Sequence, residues 1–394
     1  MWADALDGLV RPATDADAIA GVLPRWVATP RSTDQVAAVM RAATSESLTV
    51  VVRGAGTKQH WGAPPARLDL VLDTRQLSGV VEHAADDLVV VVRAGTAVEE
   101  LAEKLAAAGQ QFAVDVPIPG STIGGTVAVN TSGPRRMRYG TVRDMLIGVT
   151  MVRADGVVAR SGGKVVKNVA GYDLGKLLTG SYGTLGVITE CVFRLHPLPR
   201  ARAFVIRRSD DPAPVLAAVR GLQVAPSAVE VDIPPGGEPE VTVLVEGTLE
   251  GVAQRAAVVA ERIEGEVVDT PPPGFGKYPW TDDGTGFKIG VPLSGVPRLL
   301  DVARAVPRLA IRGSAGVGVL YAGLPADADP DLVASVVTEL RQAAEYAVVV
   351  TAPPPVRDRV EIWGPVRGLP LMRRLKQQFD PDARLAPGRF VGGI

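Results

Sequence analysis

The sequence predicts a mixed α and β protein of more than one domain, and three observations carry that prediction. Before residue 200, short β-branched strands run into glycine turns and alternate with capped amphipathic helices. After residue 200, a plainer alternation appears twice in the order βαββα. The chain is 394 residues long, which at about 150 residues per domain leaves room for two to three domains. Its composition is that of an ordinary globular protein: 46% apolar and 22% charged, with 42 Lys and Arg against 43 Asp and Glu. That balance excludes binding driven by a basic excess, so neither nucleic acid nor an acidic membrane surface is an expected partner. The single cysteine, Cys191, excludes an internal disulfide framework and any iron–sulfur cluster or zinc site built from this chain's own thiolates. No metal is expected, and the cysteine usage suits a reducing, cytoplasmic compartment. The opening MWADALDGLVRPATDADA has no basic segment followed by an apolar run, so it does not read as a secretory signal. No uncharged apolar stretch approaches the roughly 18 residues of a membrane span.

Taken in order, residues 32–43 open with a Ser32-x-x-Gln35 capping box and place Val36, Val39, Met40 and Ala43 on one helical face. A strand at 48–52 stops at the glycine turn RGAGT. Further strands are expected at 68–72 and 88–93. Thr96-x-x-Glu99 then caps a helix with Val98, Leu101, Ala102 and Leu105 inward, stopped by Gly109. Residues 117–140 are rich in glycine and nearly uncharged, too irregular for one element and too apolar for a solvated linker. Strands at 147–153 and 157–159 join through Asp155-Gly156, a hairpin signal. GYDLGKLL reads as a short helix, 180–186 as a glycine turn and 187–193 as a strand, with His196-Pro197-Leu198-Pro199 closing the domain. Strand 203–207, helix 213–222, strands 227–231 and 241–246 and helix 250–262 follow. The order repeats after the proline break at 271–273 as strand 285–291, helix 294–304, strands 309–312 and 317–322, helix 329–344 and strand 346–351. An amphipathic helix near 366–379 precedes RLAPGRFVGGI, an extended tail that must dock or fray.

Three glycine-rich turns carry the chemistry: RGAGT at 53–57, PGSTIGGTVAVNTSG at 119–133 and GSYGTLGVI at 180–188. A diphosphate needs several convergent backbone N–H donors with no side chains in the way, and glycine turns at strand ends supply them. An anionic cofactor is therefore expected. Gly54-Ala55-Gly56 is not followed by a third glycine at the nicotinamide spacing, and no GK[ST] sequence occurs, so dinucleotide-fingerprint and P-loop readings are unsupported.

WVATPRSTDQVAAVMRAA, VVRGAGT, GSTIGGTVAVNTSG with RYG, and YDLGKLLTGSYGTLGVITE resemble, in order, the vanillyl-alcohol oxidase / PCMH-type FAD-binding family. Within it, GTKQHWGAP, KNVAGYDL and LAPGRF are similar to the FAD-binding E subunits of bacterial glycolate oxidases. The resemblance implies an α+β fold: a two-subdomain PCMH-type FAD-binding domain at 24–199 after an extension at 1–23. An antiparallel-sheet-plus-helices cap or substrate domain at 200–362 and a tail at 363–394 docking near the FAD domain would follow. It implies FAD as cofactor, with Arg53, Gly54, Ala55, Gly56 and Thr57 at the pyrophosphate. Pro119, Gly120, Ser121, Thr122, Gly124 and Gly125 would line the isoalloxazine and ribityl side, and Asn130 and Gly133 would continue that wall. Gly183, Gly186, Val187 and Ile188 would close over the adenosine end. Tyr182 stands where relatives commonly carry Glu. His60 lies seven residues after Arg53 instead of directly after the glycine turn, so the flavin is expected to be noncovalent.

Oxidation of a hydroxy acid needs a base for the hydroxyl proton and a cation for the carboxylate. Catalytic relatives carry GDGNxH and EHG segments, whereas this chain has no histidine after His196 and GSAGVGV at 313–319 in the first segment's place. Lys288, Arg312, Tyr321, Tyr346 and Arg389 are the remaining cationic or phenolic candidates. His83 reads as solvated, His196 as structural and Cys191 as a small core residue. Three readings follow. One is a flavoprotein oxidoreductase subunit acting on a small hydroxy acid or alcohol, working with a catalytic flavoprotein subunit and an iron–sulfur subunit, and peripheral to the inner membrane only through a partner. The second is a self-sufficient FAD enzyme with a non-histidine base. The third is a non-catalytic FAD-binding or flavin-free structural subunit.

Overall fold

A computed structural model describes Leu6, residues 8–164 and residues 172–394. Of the KNVAGYDL motif only residues 172–174 fall among the described residues. The chain divides into two compact units. The first takes the residues up to Thr131, Thr141–Leu198 and Val366–Ile394, and the second takes Ser132–Gly140 and Pro199–Pro365.

In the first unit, β1 (Val10–Pro12), β2 (Trp26–Ala28), β3 (Val50–Arg53) and β4 (Leu70–Asp73) form a sheet in the order β1-β2-β4-β3. β4 pairs in parallel with both β2 and β3. Helix α1 (Thr33–Ser45) connects β2 to β3 and buries Val36, Val39, Met40 and Ala43 as its periodicity requires. Ser32 Oγ accepts the Gln35 N–H at 3.2 Å, but the Gln35 amide reaches the Arg31 N–H, one residue earlier than a capping box would have it. A second, antiparallel sheet contains β5 (Val80–Ala84), β6 (Val89–Arg93), β8 (Leu146–Val152), β9 (Val158–Gly162) and β10 (Val187–Arg194) in the order β5-β6-β10-β8-β9, while β7 (Gln110–Gln111) pairs with β11 (His196–Pro197). One apolar core joins the α1 face to Val50, Leu70, Leu72, Val152 and Val187, so the two sheets share an interior. Cys191 is buried on β10, and burial pushes its thiol pKa up, away from reactivity.

Two local expectations are corrected. Thr96 is not a helix cap: α2 (Val98–Ala106) starts after Ala97, and the Thr96 hydroxyl instead accepts the Gly79 N–H at 2.8 Å. Glu99 turns to the Gly120 N–H at 2.9 Å. His83 is half-buried, with its ring nitrogen 2.9 Å from the Gln110 side chain, and is not a solvated residue. The glycine-rich segment contains regular pieces: α3 (Ile123–Val129), α4 (Arg136–Tyr139) and, just beyond, α5 (Val142–Met145). Thr122 caps α3 by accepting the Gly125 N–H, and Asn130 ends it in the left-handed region at φ 53°. α6 (Leu174–Leu178) precedes the third glycine turn.

The second unit is one eight-stranded antiparallel sheet. β12 (Ala201–Arg208), α7 (Pro212–Arg220), β13 (Ala228–Ile233), β14 (Glu240–Gly247), α8 (Leu249–Ile263) and β15 (Glu266–Val268) form its first half. β16 (Thr285–Gly290), α9 (Val296–Ala305), β17 (Ala310–Ser314), β18 (Val319–Leu324), α10 (Pro330–Ala343) and β19 (Tyr346–Thr351) form the second. The order β15-β12-β14-β13-β17-β18-β16-β19 reads the same from either end, so two split βαβ units meet through β13 and β17. The repeated element order in the sequence therefore corresponds to a repeated structure. Val205, Val231, Val243, Phe287, Ile289, Ile311 and Leu320 pack with α7, α8, α9 and α10 in a single core. The opposite sheet face is polar along part of its width and receives residues from Ser132–Gly140: Tyr139 O–H donates to Glu246 at 3.4 Å and Arg135 lies 3.8 Å from the same carboxylate.

After the short α11 (Pro354–Arg357), α12 (Leu369–Phe379) returns the chain to the first unit. The tail then hydrogen-bonds along β3, Val50 N–H to Arg384 C=O and Ala386 N–H to Val50 C=O. Lys376 fixes this return. Its buried ammonium donates to Asp380 at 2.6 Å and to the carbonyls of Thr184 and Leu385 at 2.9 and 2.8 Å. Among the described residues no helix is long and apolar enough to cross a membrane.

Candidate flavin site

The first unit holds a cleft, partly open to solvent, where the three glycine turns and the C-terminal tail converge. β3 ends at one wall and releases residues 54–59 along it. Thr122, Gly124, Gly125, Ala128 and Val129 of α3 and its cap form the second wall, and Tyr182, Gly183, Gly186 and Ile188 the third. The turns fit because they lack side chains. A Cβ on Gly54 would sit 2.2 Å from Thr122 Oγ1, and one on Gly124 would sit 2.9 Å from Ala94 Cβ, so only glycine allows this approach. Gly180 N–H to Val127 C=O and Tyr182 N–H to Ala128 C=O tie the third turn to α3.

No protein acceptor among the described residues receives the backbone N–H groups of Gly54, Ala55, Gly56, Thr57 and Lys58. Successive unpaired N–H groups around a residue at φ 80°, Gly56, form a concave anion-binding nest. Lys58 adds a full charge to it. Its side chain is buried against the cleft, donating to Ser121 Oγ at 2.5 Å and Thr57 Oγ1 at 3.1 Å. Burial lowers its pKa to about 8, and the charge of Glu99 only partly opposes that. A buried ammonium held by hydroxyls, beside a row of unpaired N–H groups, suits a diphosphate.

The expected site residues do not all fall at this cleft. Gly54, Ala55, Gly56, Thr57, Thr122, Gly124, Gly125, Gly183, Gly186 and Ile188 line it. Ser121 stands behind it as a partner of Lys58, whereas Pro119 and Gly120 are exposed and outside the lining. Arg53 lines an adjoining hollow and is held by Asp17 and Asp73 at 3.1 and 2.9 Å. Val187 points into the core, Asn130 has a buried Oδ1 without a hydrogen bond, and Gly133 lies in the second unit. Arg389 is at the cleft too, donating to Gln59 Oε1 at 3.1 Å and to the Gln59 and Trp61 carbonyls at 2.8 Å. Among the described residues that line the cleft there is no histidine, His60 included, and no cysteine. Tyr182, in place of the commoner Glu, stacks on Phe390 of the tail with ring centres 5.2 Å apart.

The other candidates gather in the second unit. The register sets Arg312 opposite Tyr321, Tyr321 opposite Lys288 and Gly290 opposite Tyr346, which puts all four side chains on the polar sheet face. Arg312 is paired with Asp232 at 2.8 Å. Lys58 and Gln59 were not among the sequence candidates. The signal for Lys58 was local, a lysine directly after RGAGT.

Fold and site together define an α+β scaffold with a glycine-walled, anion-binding cleft. Residues 24–162 match the FAD binding domain family, and this match supports FAD as the cofactor. The chain is 37% identical over 186 residues to the glycolate oxidase subunit GlcE of Escherichia coli, covering 47% of this chain and 52% of that one. It is 31% identical over 212 residues to the subunit GlcD of Bacillus subtilis, covering 53% and 45%. The chain thus spans about half the length of these two relatives. An uncharacterized FAD-linked oxidoreductase of Mycobacterium tuberculosis is 27% identical over 424 residues, covering 94% of this chain and 91% of that one. Among solved structures, alkyldihydroxyacetonephosphate synthase superposes with a TM-score of 0.73 at 16% identity, covering 98% of this chain and 84% of that one, a likeness of fold.

Proposed function

We propose that the chain is an FAD-carrying oxidoreductase subunit acting on the CH–OH group of a small hydroxy acid or alcohol. The observation that carries this is the cleft itself, a glycine-walled nest of unpaired N–H groups with the buried Lys58 ammonium beside it. Residues 54–57 would hold the pyrophosphate with Lys58 as its counter-charge. Thr122, Gly124 and Gly125 would face the ribityl and isoalloxazine side, and Gly183, Gly186 and Ile188 the adenosine end. FAD, when bound, supplies a two-electron acceptor for the substrate hydride. The described lining residues contain no histidine or cysteine, which supports noncovalent attachment.

The similarity to the glycolate oxidase subunits GlcE and GlcD supports a place in a multi-subunit oxidase, and on this reading its partners would be a catalytic flavoprotein and an iron–sulfur protein. The lack of any histidine after His196 favours this over a self-sufficient enzyme. Anaerobic addition of glycolate, D-lactate and simple alcohols to the flavin-loaded chain tests the choice. The expected outcome is an oxidised flavin band that bleaches only after the partner chains are added, and bleaching by the chain alone would make it self-sufficient.

Lys58 gives the cofactor assignment a quantitative test. Lys58→Met is expected to weaken FAD binding by about 10- to 100-fold, the worth of a charged hydrogen-bonding group. In the flavin-free chain the lysine loses its proton through about pH 8, and a bound diphosphate would hold the proton on. Affinity in the unsubstituted chain should therefore fall as pH rises past 8, while Lys58→Met removes that slope. Fluorescence titration of FAD from pH 6.5 to 9.5 measures both, and equal slopes in the two chains would refute the role.

A further inference from the structure

In the second unit, Lys288 stands out among the described residues as a cation without a counter-charge. It lies part-buried in β16, and among the described residues its ammonium has no hydrogen-bond or ion-pair partner. Burial lowers its pKa to about 8, and among the described residues the charge that bears on it is that of another cation, Arg136. Arg136 reaches this face from Ser132–Gly140, where its guanidinium donates to Ser132 Oγ at 3.0 Å and meets no carboxylate. The Tyr321 hydroxyl, directly across the sheet from Lys288, points at the Ser132 carbonyl at 3.5 Å. The Tyr346 ring lies over Gly290, where a Cβ would come within 2.1 Å of it. Arg136 bears on Lys288, Tyr321 and Tyr346 alike, so its charge sits among all three.

Two cations held together without an acid are costly unless an anion joins them. The buried acids on this face are Glu246 on β14, which is taken by Tyr139 and Arg135, and Glu230 on β13, the nearer of the two, with β17 and β18 between it and β16. That is about 14 Å at the usual strand spacing. Arg312 is already neutralised by Asp232. Among the described residues Lys288 and Arg136 therefore share an uncompensated positive region, bounded by the phenols of Tyr321 and Tyr346.

We infer that Lys288 and Arg136, flanked by Tyr321 and Tyr346 on the polar sheet face of the second unit, form a binding site for the carboxylate of a small organic acid. This rests on the hydroxy-acid reading for the choice of carboxylate over other anions, and it assigns the substrate a charge that the flavin cleft does not read. Arg136, which composition and spacing did not single out, is a second specificity residue.

Calorimetric titration of the flavin-loaded chain under anaerobic conditions tests the site with D-lactate, propionate, 1,2-propanediol and inorganic phosphate. Both carboxylates should bind saturably and the neutral diol should not. Lys288→Met and Arg136→Met should each weaken carboxylate binding at least tenfold at unchanged FAD content, and Lys288→Arg should restore most of it. Unchanged carboxylate affinity in Lys288→Met, or phosphate binding tighter than either carboxylate, would overturn the assignment. The two proposals fail separately. Carboxylate binding lost with Lys288, in a chain whose flavin no hydroxy acid reduces even with partners present, keeps the site and refutes the oxidoreductase reading. Flavin reduction with the same concentration dependence in Lys288→Met keeps that reading and refutes the site.

Discussion

A Gly54→Val chain is expected to fold and to purify without flavin. The added Cβ would lie 2.2 Å from Thr122 Oγ1 and 3.2 Å from Thr122 Cβ, closer than any relaxed contact. Thr122 cannot give way freely, because its hydroxyl caps α3 through the Gly125 N–H and its backbone is bridged to Ala97. The turn carrying Gly54 to Thr57 must move instead, and with it the row of N–H groups that makes the anion nest. Overpacking of this kind costs about 1–3 kcal/mol, and here the strain falls on the binding geometry. Flavin absorbance per chain should drop below about a tenth of the unsubstituted value, at the low end of the loss that energy implies. Gly109→Asn is the matched control. Gly109, after α2 and outside the cleft lining, has φ 69° but open space around its would-be Cβ, and asparagine tolerates that backbone. Its flavin content should remain close to that of the unsubstituted chain. Normal flavin in Gly54→Val would show that the nest does not hold the cofactor.

The largest expected loss of stability is in Lys376→Met. The Lys376 ammonium and the Asp380 carboxylate are both buried, and Asp380 also accepts the Arg384 and Leu385 N–H groups that start the tail's return along β3. Removing the cation leaves a buried carboxylate without its charge partner, which typically costs about 3–5 kcal/mol. The first unit should therefore melt at lower temperature, and Arg389 and Phe390, placed beside the cleft by the same tail, should lose their positions. The double variant Lys376→Met/Asp380→Leu should recover much of the loss, since an apolar pair of similar volume avoids the desolvation penalty. Thermal melts followed by far-ultraviolet circular dichroism distinguish these outcomes. A single variant as stable as the parent would show that the tail is held by something other than this pair.

How much the sequence disclosed depended on how local each signal was. The turns RGAGT, TIGGTVAVN and GTLGVI are short, and their need for glycine is written in the residues themselves. The repeated βαββα order was legible for the same reason, but not the palindromic strand order, which depends on β13 meeting β17 across more than seventy residues. Local chemistry misled at Thr96, where a tertiary hydrogen bond to Gly79 took the hydroxyl a cap would have used. Helix α3 was hidden because Gly124 and Gly125 lower helix propensity, while the close approach of Gly124 to Ala94 makes glycine necessary there. Arg389 and Lys376 act at the first unit only after the tail has returned to it, and Arg136 belongs to a short segment that leaves one unit for the other. No periodicity or spacing encodes those placements.

The central claim is that the first unit binds FAD noncovalently in the glycine-walled cleft. The most direct measurement is an absorbance spectrum of the purified full chain after incubation with FAD and gel filtration, repeated on the supernatant after acid precipitation. The account predicts a yellow chain carrying one flavin, all of it released into the supernatant. A folded chain that stays colourless, or flavin that remains with the precipitated protein, would contradict it.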